Sequence, residues 1–235
     1  MSVRFYTSSA LGLGMSSIEG AEAHHLATVC RFRPGDQVTL FNGDGQEYQA
    51  TITDVNRRMV TLNITAVDKP CRELHFQLEV AAPIPKGDRG DFLIEKLTEI
   101  GATTFVPLRT ERSVIHPKSD RPDRWTRAVI EASKQCGRNR LLTIEPIQDW
   151  TTYCRSRSAS AVKWLGHPHG SPMSGCHAAT QTCVAVGPEG GLTAEEIDLA
   201  VRQGWRLVSL GPRILRIETA ALAMATFLSL CPTIA

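Results

Sequence analysis

Val186-Gly187-Pro188-Glu189-Gly190-Gly191-Leu192-Thr193 and Leu210-Gly211-Pro212-Arg213-Ile214-Leu215-Arg216-Ile217-Glu218-Thr219-Ala220 decide how this chain is read. Each follows an apolar run that reads as a buried strand, Cys183 to Val186 in one case and Arg206 to Leu210 in the other. Each then opens a helix. Strand-to-helix turns of this kind are where open α/β sheets bind ligands. Glycines let the backbone approach a ligand closely, and a helix start presents free N–H groups.

Outward from these turns the pattern stays α/β. Thr193 with Glu196 forms a capping box, and Ile197, Ala200 and Val201 are the expected buried face of the helix it starts, with Gly204 as its stop. The alanine-rich run from Thr219 to Leu230 is the final helix, ending before Pro232. Upstream, Leu74 to Ala82, Thr104 to Leu108, Leu142 to Glu145, Ala161 to Leu165 and Thr182 to Val186 read as strands. Phe92, Leu93, Lys96, Leu97 and Ile100 fall on one face of a helix closed by Gly101. Arg124 to Cys136 reads as another helix, with Trp125, Ala128, Val129 and Ala132 inward and Gly137 as its stop. His167 to Ala179, rich in Gly, Pro and Ser, reads as a loop. Strands alternating with helices predict a mostly parallel sheet covered on both faces.

The first part of the chain has a different rhythm. Phe5-Tyr6 sits in a short strand, and Ala21 to Arg31 reads as one helix. Asp36 to Phe41, Glu47 to Val55 and Met59 to Val67 read as strands, with Asn42-Gly43-Asp44-Gly45 as a tight turn. Short strands closed by tight turns predict a small β-barrel over residues 1–70. Asp68 to Arg72 is the expected linker, and residues 73–235 form the α/β domain.

Composition narrows the classes. The chain has 235 residues, 42% hydrophobic and 21% charged, with a net charge of +2. That is an ordinary globular balance, so any nucleic-acid surface must come from local arginine clusters. Its seven cysteines stand at positions 30, 71, 136, 154, 176, 183 and 231 without a C-x-x-C pair. Such spacing predicts reduced thiols and a cytoplasmic protein. The N-terminus has no apolar signal core, and the longest apolar stretch, Ala220 to Leu230, is too short to span a bilayer.

Each motif carries a plain reading beside a chemical one. Gly187-Pro188-Glu189-Gly190-Gly191 lacks the Gly-Lys-Ser/Thr of a Walker loop, and it reads either as a tight structural turn or as a ligand loop. Arg213, Arg216 and Glu218 form either a solvated ion-pair cluster or a site for an anionic or polar substrate. Gln135-Cys136-Gly137-Arg138-Asn139-Arg140 offers amides and guanidiniums for phosphates and bases, although arginines near a helix C-terminus are also favoured by the dipole alone. Arg109 and Arg112 add a second basic pair. His167, His169, Cys176 and His177 match no standard zinc spacing, so no metal is expected.

The combination is more specific than its parts. Val186 to Leu192 followed by Leu210 to Ala220 resembles the ribosomal RNA small subunit methyltransferase E family, of the SPOUT class of S-adenosylmethionine enzymes. Lys86-Gly87-Asp88-Arg89 with Glu95 to Gly101, the block Glu131 to Arg140, and Leu165-Gly166-His167-Pro168 are similar to further family segments. Arg4-Phe5, Gly35-Asp36, Phe41-Asn42-Gly43 and Glu47-Tyr48 resemble the family's N-terminal PUA-like barrel.

The resemblance implies an α/β SPOUT domain with a C-terminal trefoil knot, behind that barrel. It implies methylation of N3 of a uridine in small-subunit (16S) rRNA; the alternatives are a SPOUT methyltransferase on another RNA target, such as tRNA or a ribose 2′-OH, and a non-catalytic rRNA-binding or assembly protein. Residues expected to hold S-adenosyl-L-methionine are Leu165, Gly166 and His167, then Val186, Gly187, Pro188, Glu189, Gly190 and Gly191, then Leu210, Gly211, Ile214, Leu215, Arg216, Thr219 and Ala220. Arg216 is expected to stabilise charge on the uracil, and Glu218 is either a base or the partner of Arg213 or Arg216. Arg4, Arg31, Arg33, Lys86, Arg109, Arg112, Arg138, Arg140 and Arg213 are expected to bind RNA. A homodimer acting on rRNA within the small ribosomal subunit, with no membrane and no metal, completes what the resemblance implies.

Overall fold

A computed structural model describes residues 3–113, 121–174 and 180–230. The chain divides into two compact units. One comprises Met1–Glu73 with Ile130–Leu141, and the other Leu74–Val129 with Leu142–Ala235.

The first unit is built on a five-stranded sheet. Strands β1 (Arg4–Tyr6), β2 (Gly14–Glu19), β3 (Gln37–Phe41), β4 (Glu47–Val55) and β5 (Met59–Asp68) lie in the order β1-β3-β4-β5-β2. β1 pairs parallel with β3, and the other pairings are antiparallel. Alternation along β4 and β5 puts Tyr48, Ala50, Ile52, Val60, Leu62 and Ile64 inside, against Phe5, Ile18, Val38 and Leu40. The expected single helix from Ala21 to Arg31 is instead α1 (Gly20–His24) followed by a π-helical turn, His25–Val29. The Cys30 N–H reaches back to the His25 carbonyl at 3.0 Å, and the segment ends at Arg31 with φ 58°. A π-turn widens the helix by one residue, which swings Leu26 under the sheet as part of the core.

Ile130–Leu141 packs within this first unit, although the sequence placed it in the α/β domain. Lys134 pairs with Glu22 at 3.0 Å, and the Gly45 N–H donates to the Asn139 carbonyl at 3.1 Å.

The second unit carries a seven-stranded sheet. β6 (Gln77–Ala82), β7 (Thr104–Arg109), β8 (Thr143–Ile144), β10 (Val162–Pro172), β11 (Gln181–Val186) and β12 (Arg206–Ser209) run in the order β12-β10-β11-β6-β7-β8. β9 (Gln148–Asp149) pairs with β7, and every pairing is parallel. The helices are α2 (Arg89–Ile100), α3 (Arg121–Cys136), of which the part from Ile130 onward belongs to the first unit, α4 (Trp150–Ser156), α5 (Ala194–Arg202) and the final helix α6 (Ile217–Ser229). α2 packs on α6, and α6 also covers β6 and β11.

Two helix faces differ from expectation. α2 buries Gly90, Leu93, Ile94, Leu97 and Thr98, while Phe92 lies 48% exposed. The Thr98 hydroxyl donates back to the Ile94 carbonyl at 2.8 Å, so a polar residue serves the buried stripe without an orphaned group. On α5, Ala200 is buried but Val201 is exposed.

The loop expected from His167 onward also differs, because β10 continues to Pro172 through a bulge. Gly166 and Ser171 both face Val208 of β12, so the intervening residues bow out of the ladder. Gly170 is required there by contact. A Cβ on it would stand 2.5 Å from the Val208 nitrogen and 2.6 Å from the Leu207 carbonyl carbon.

One charge sits in the central strand. Glu79 of β6 is buried, accepts a hydrogen bond from the Tyr153 hydroxyl at 2.7 Å and pairs with Arg157 Nε at 2.9 Å. Burial and the adjacent carboxylate hold the Tyr153 phenol well above its usual range. Burial also pushes the Cys154 and Cys183 thiols up to about 12, which keeps both protonated and unreactive.

Candidate functional site

β10, β11 and β12 are parallel neighbours, so their carboxyl ends share one edge of the sheet. The segments leaving those ends enclose a cleft of about 540 Å³. That volume lies in the range of small-molecule sites. From the bulge of β10 come Gly166, His167, Pro168 and His169. From the β11–α5 turn come Val186, Gly187, Pro188, Glu189, Gly190, Gly191 and Leu192. From the β12–α6 turn come Leu210, Gly211, Arg213, Ile214, Leu215, Arg216, Ile217 and Ala220.

Two expected cofactor residues lie elsewhere. Leu165 is fully buried in the core, and Thr219 is exposed on α6 outside the lining. Pro168 and Ile217, which lie within the segments expected to wrap the cofactor, also line the cleft, and His169 and Leu192 join them from just beyond those segments.

The turn geometry follows from sequence. Thr193 caps α5 with both bonds of the box: Thr193 Oγ1 accepts from the Glu196 N–H at 3.2 Å, and Glu196 Oε2 accepts from the Thr193 N–H at 2.9 Å. The Gly191 N–H donates to the Pro188 carbonyl at 2.9 Å and closes the turn. Gly187 lies against Leu192, whose Cγ is 3.1 Å from where a Cβ would stand. Gly211 adopts φ +103°, a left-handed conformation that disfavours any side chain. The walls therefore combine backbone, glycine surface and the aliphatic groups of Leu192, Ile214, Leu215 and Ile217. This set fits a flat apolar ring with polar edges, as an adenosine presents.

His167 adds one directed group. Its Nδ1 accepts the His169 backbone N–H at 3.2 Å. Partial burial, and then the neighbouring His169, hold its pKa below the ordinary value. A neutral ring with Nδ1 accepting carries its proton on Nε2, so His167 offers one N–H donor.

Arg216 is the exposed N-cap residue of α6 and lines the cleft with Arg213. Glu218 is buried in the first turn of that helix and is outside the lining. Its partner is neither Arg213 nor Arg216. Glu218 Oε1 faces Arg89 Nη1 of α2 at 3.4 Å, and Oε2 is buried with no hydrogen-bond partner among the described residues. A carboxylate at a helix N-terminus is favoured by the dipole, which offsets part of the cost of burying it.

The arginines expected to meet RNA separate into two groups. Arg138 is 3% exposed and spends its guanidinium on Glu73, with Nη2 to Oε2 at 2.7 Å. Arg4 pairs with Glu47 at 2.8 Å, bonds Asn139 and lies 5.0 Å over the Phe41 ring. Both brace the first unit from within. Arg31, Arg33 and Arg140 of that unit are exposed. In the second unit Lys86 and Arg213 are exposed, Arg109 stands 3.6 Å from Asp149, and Arg112 Nη1 donates to the Gly190 carbonyl at 3.0 Å.

Among the described residues no group of three or more His, Cys, Asp or Glu is placed to hold an ion. Cys176 and His177 lie outside the described residues. No helix among the described residues is long and apolar enough to cross a membrane.

Comparison with known proteins converges on one family. Residues 72–229 match the RNA methyltransferase domain, and residues 18–65 match the RNA methyltransferase PUA domain. Ribosomal RNA small subunit methyltransferase E of Bacillus subtilis is 30% identical over 220 residues, covering 88% of this chain and 86% of its own. The protein of the same name from Synechocystis is 34% identical over 207 residues, covering 85% of this chain and 68% of its own. A crystal structure of a ribosomal RNA small subunit methyltransferase E from Neisseria gonorrhoeae, bound to S-adenosyl methionine, superposes with a TM-score of 0.89 at 29% identity, covering 97% of this chain and 96% of that one. The fold class is the one the resemblance implied, a SPOUT-type α/β domain with a small PUA-like domain before it. With a domain match over more than half its length and relatives at these identities, the chain belongs to the RNA methyltransferase family that contains ribosomal RNA small subunit methyltransferase E.

Proposed function

We propose that this protein transfers a methyl group from S-adenosylmethionine to N3 of a uridine in small-subunit (16S) rRNA. The observation that carries the reading is the cleft, where three strand ends of a parallel sheet bring glycine-rich turns and aliphatic walls around one volume of about 540 Å³. When bound, S-adenosylmethionine supplies an electrophilic methyl carbon on a sulfonium.

The chain's own residues then do the rest. Leu192, Ile214, Leu215 and Ile217 of the lining would pack against the adenine, and the backbone of Gly187 to Gly191 would hold the ribose. His167 gives one N–H donor from the third wall. Holding the target nitrogen in line with the methyl carbon is worth several kcal/mol, about 7–11 at best. Uracil N3 is a poor nucleophile while protonated, so its proton must pass to solvent water and its anion be stabilised as the S–CH3 bond breaks to leave a neutral thioether. Arg216, exposed at the cleft, is the cation for the uracil carbonyl oxygens. Glu218 anchors Arg89 and the start of α6, because its Oε2 is shielded from solvent and its Oε1 already faces a guanidinium. Glu218→Gln tests this: methyl transfer is expected to persist at reduced stability, and complete loss of transfer with cofactor binding intact would make Glu218 the base.

RNA would be held by Arg31, Arg33 and Arg140 on the first unit, and by Lys86, Arg109 and Arg213 on the second. A homodimer is part of the reading. Phe227 and Leu230, along and after α6, are exposed apolar surface that a second copy would cover.

The deciding experiment is methyl transfer from labelled S-adenosylmethionine to small subunits lacking the modification, with naked rRNA in parallel. N3-methyluridine in the digest supports the proposal, and the better acceptor shows whether the assembled subunit is the substrate. Label on a ribose 2′-OH or in tRNA would refute it. No label and no cofactor binding would favour a non-catalytic rRNA-binding role.

A further inference from the structure

β7 ends at Arg109, and residues Thr110–Ser113 close a turn just beyond it. The Thr110 N–H donates to Ser113 Oγ at 2.9 Å, and the Ser113 N–H donates to the Thr110 carbonyl at 3.1 Å. Two further bonds leave this turn for the β11–α5 segment. The Glu111 N–H donates to Glu196 Oε1 at 3.0 Å, while the other oxygen of Glu196 completes the capping box. Arg112 Nη1 donates to the Gly190 carbonyl at 3.0 Å.

The peptide unit between Gly190 and Gly191 is therefore held at both ends. Its carbonyl accepts from Arg112, and its N–H donates to the Pro188 carbonyl. The stem of Arg112 also lies along this backbone, with its Cβ 3.4 Å from where a Gly190 Cβ would stand. A turn built from Gly187, Gly190 and Gly191 has much conformational freedom to lose when a ligand orders it. A brace that removes this freedom beforehand raises affinity, because the binding-competent conformer is already the populated one.

We propose that Arg112 is a positioning residue for the cofactor: it fixes the Gly190–Gly191 peptide on the cleft wall and sets cofactor affinity, and it is not an RNA-phosphate contact. The inference rests on the proposed use of S-adenosylmethionine. It assigns to residues 110–113 a part in cofactor binding, although these residues contribute nothing to the cleft lining.

The test compares wild type with Arg112→Ala and Arg112→Lys. The measurements are amide exchange over residues 187–193 without cofactor, S-adenosylmethionine affinity by calorimetry, and the salt dependence of RNA binding. In Arg112→Ala, exchange in the turn is expected to rise and cofactor affinity to fall about tenfold, the change expected from losing one charge-assisted hydrogen bond. KM for the cofactor should rise with it, and the RNA salt slope should stay at the wild-type value. Arg112→Lys should recover part of the affinity, since an ammonium can still reach a carbonyl but lacks the planar fork. Unchanged exchange and affinity, with a salt slope reduced by about one, would overturn the proposal and return Arg112 to the RNA surface. If wild type itself bound no S-adenosylmethionine, the functional reading would fail, and the exchange of the turn would then decide the brace on its own.

Discussion

Gly170→Ala asks whether the backbone of β12 lies against the bulge of β10 as closely as the structure has it. The φ of Gly170 lies outside the left-handed region, so contact alone decides the outcome. The added methyl would stand 2.5 Å from the Val208 nitrogen and 2.6 Å from both the Leu207 and the Val208 carbonyl carbons. These are main-chain atoms and have no rotamer to move to. Against the 3.4 Å at which ordinary Cβ contacts begin, the shortfall is 3.4 − 2.5 = 0.9 Å. Relief requires β10 and β12 to part locally, at the cost of the pairing of Ser171 with Val208 and of Pro172 with Ser209. Overpacking and weakened ladder bonds together are worth roughly 2–4 kcal/mol. Because the bulge carries His167 to His169 on the cleft wall, cofactor affinity should fall along with stability. Urea unfolding and calorimetric titration with S-adenosylmethionine measure the two effects. Gly12→Ala is the control, since a Cβ there meets nothing within 4 Å. Its effect should stay within about 0.5 kcal/mol. If Gly170→Ala matched wild type within that margin and bound cofactor equally, the close approach would be refuted.

Three further outcomes follow from the geometry. Thr193→Ala removes the acceptor for the Glu196 N–H and should cost about 1 kcal/mol in urea unfolding, whereas a neutral result would mean that the cap is made by water. Arg138→Ala should lower stability by about 1–3 kcal/mol by stranding Glu73, with an unchanged RNA salt slope; Arg140→Ala should do the reverse, reducing the slope by about one at unchanged stability. The opposite pattern would exchange their roles. The third outcome concerns pH. The folded pKa of His167 lies below the ordinary 6.5, so the unfolded chain binds this proton more readily. Its contribution to stability is complete above pH 6.5 and is lost as pH falls, and His167→Gln should flatten the stability curve in that acid window. An unchanged curve would remove His167 as its source.

The sequence by itself determined what rests on near neighbours. Strand, turn and capped helix are legible in Cys183 to Glu196 because the capping box joins residues three apart. The strands Glu47–Val55 and Met59–Asp68 are legible because side chains alternate with period two. The gathering of the turns after β11 and β12 on one cleft also follows from local signals once the sheet is parallel, since parallel strands bring their carboxyl ends to one edge.

Only the tertiary structure decided what depends on partners far along the chain. Charge and position mark Arg138 and Arg140 alike, yet one is sealed against Glu73 and the other is exposed. Glu218 looked like a partner of Arg213 or Arg216 beside it, but its guanidinium comes from Arg89, which α2 carries across to α6. Gly170 read as one residue of a polar loop, and its necessity appears only where β12 passes it. Arg112 read as a basic surface residue until the β7 turn met the β11–α5 turn. The physical reason is common to all four. Ion pairing, burial and close backbone contact are pairwise quantities, and a linear sequence names one member of each pair without saying where the other will stand.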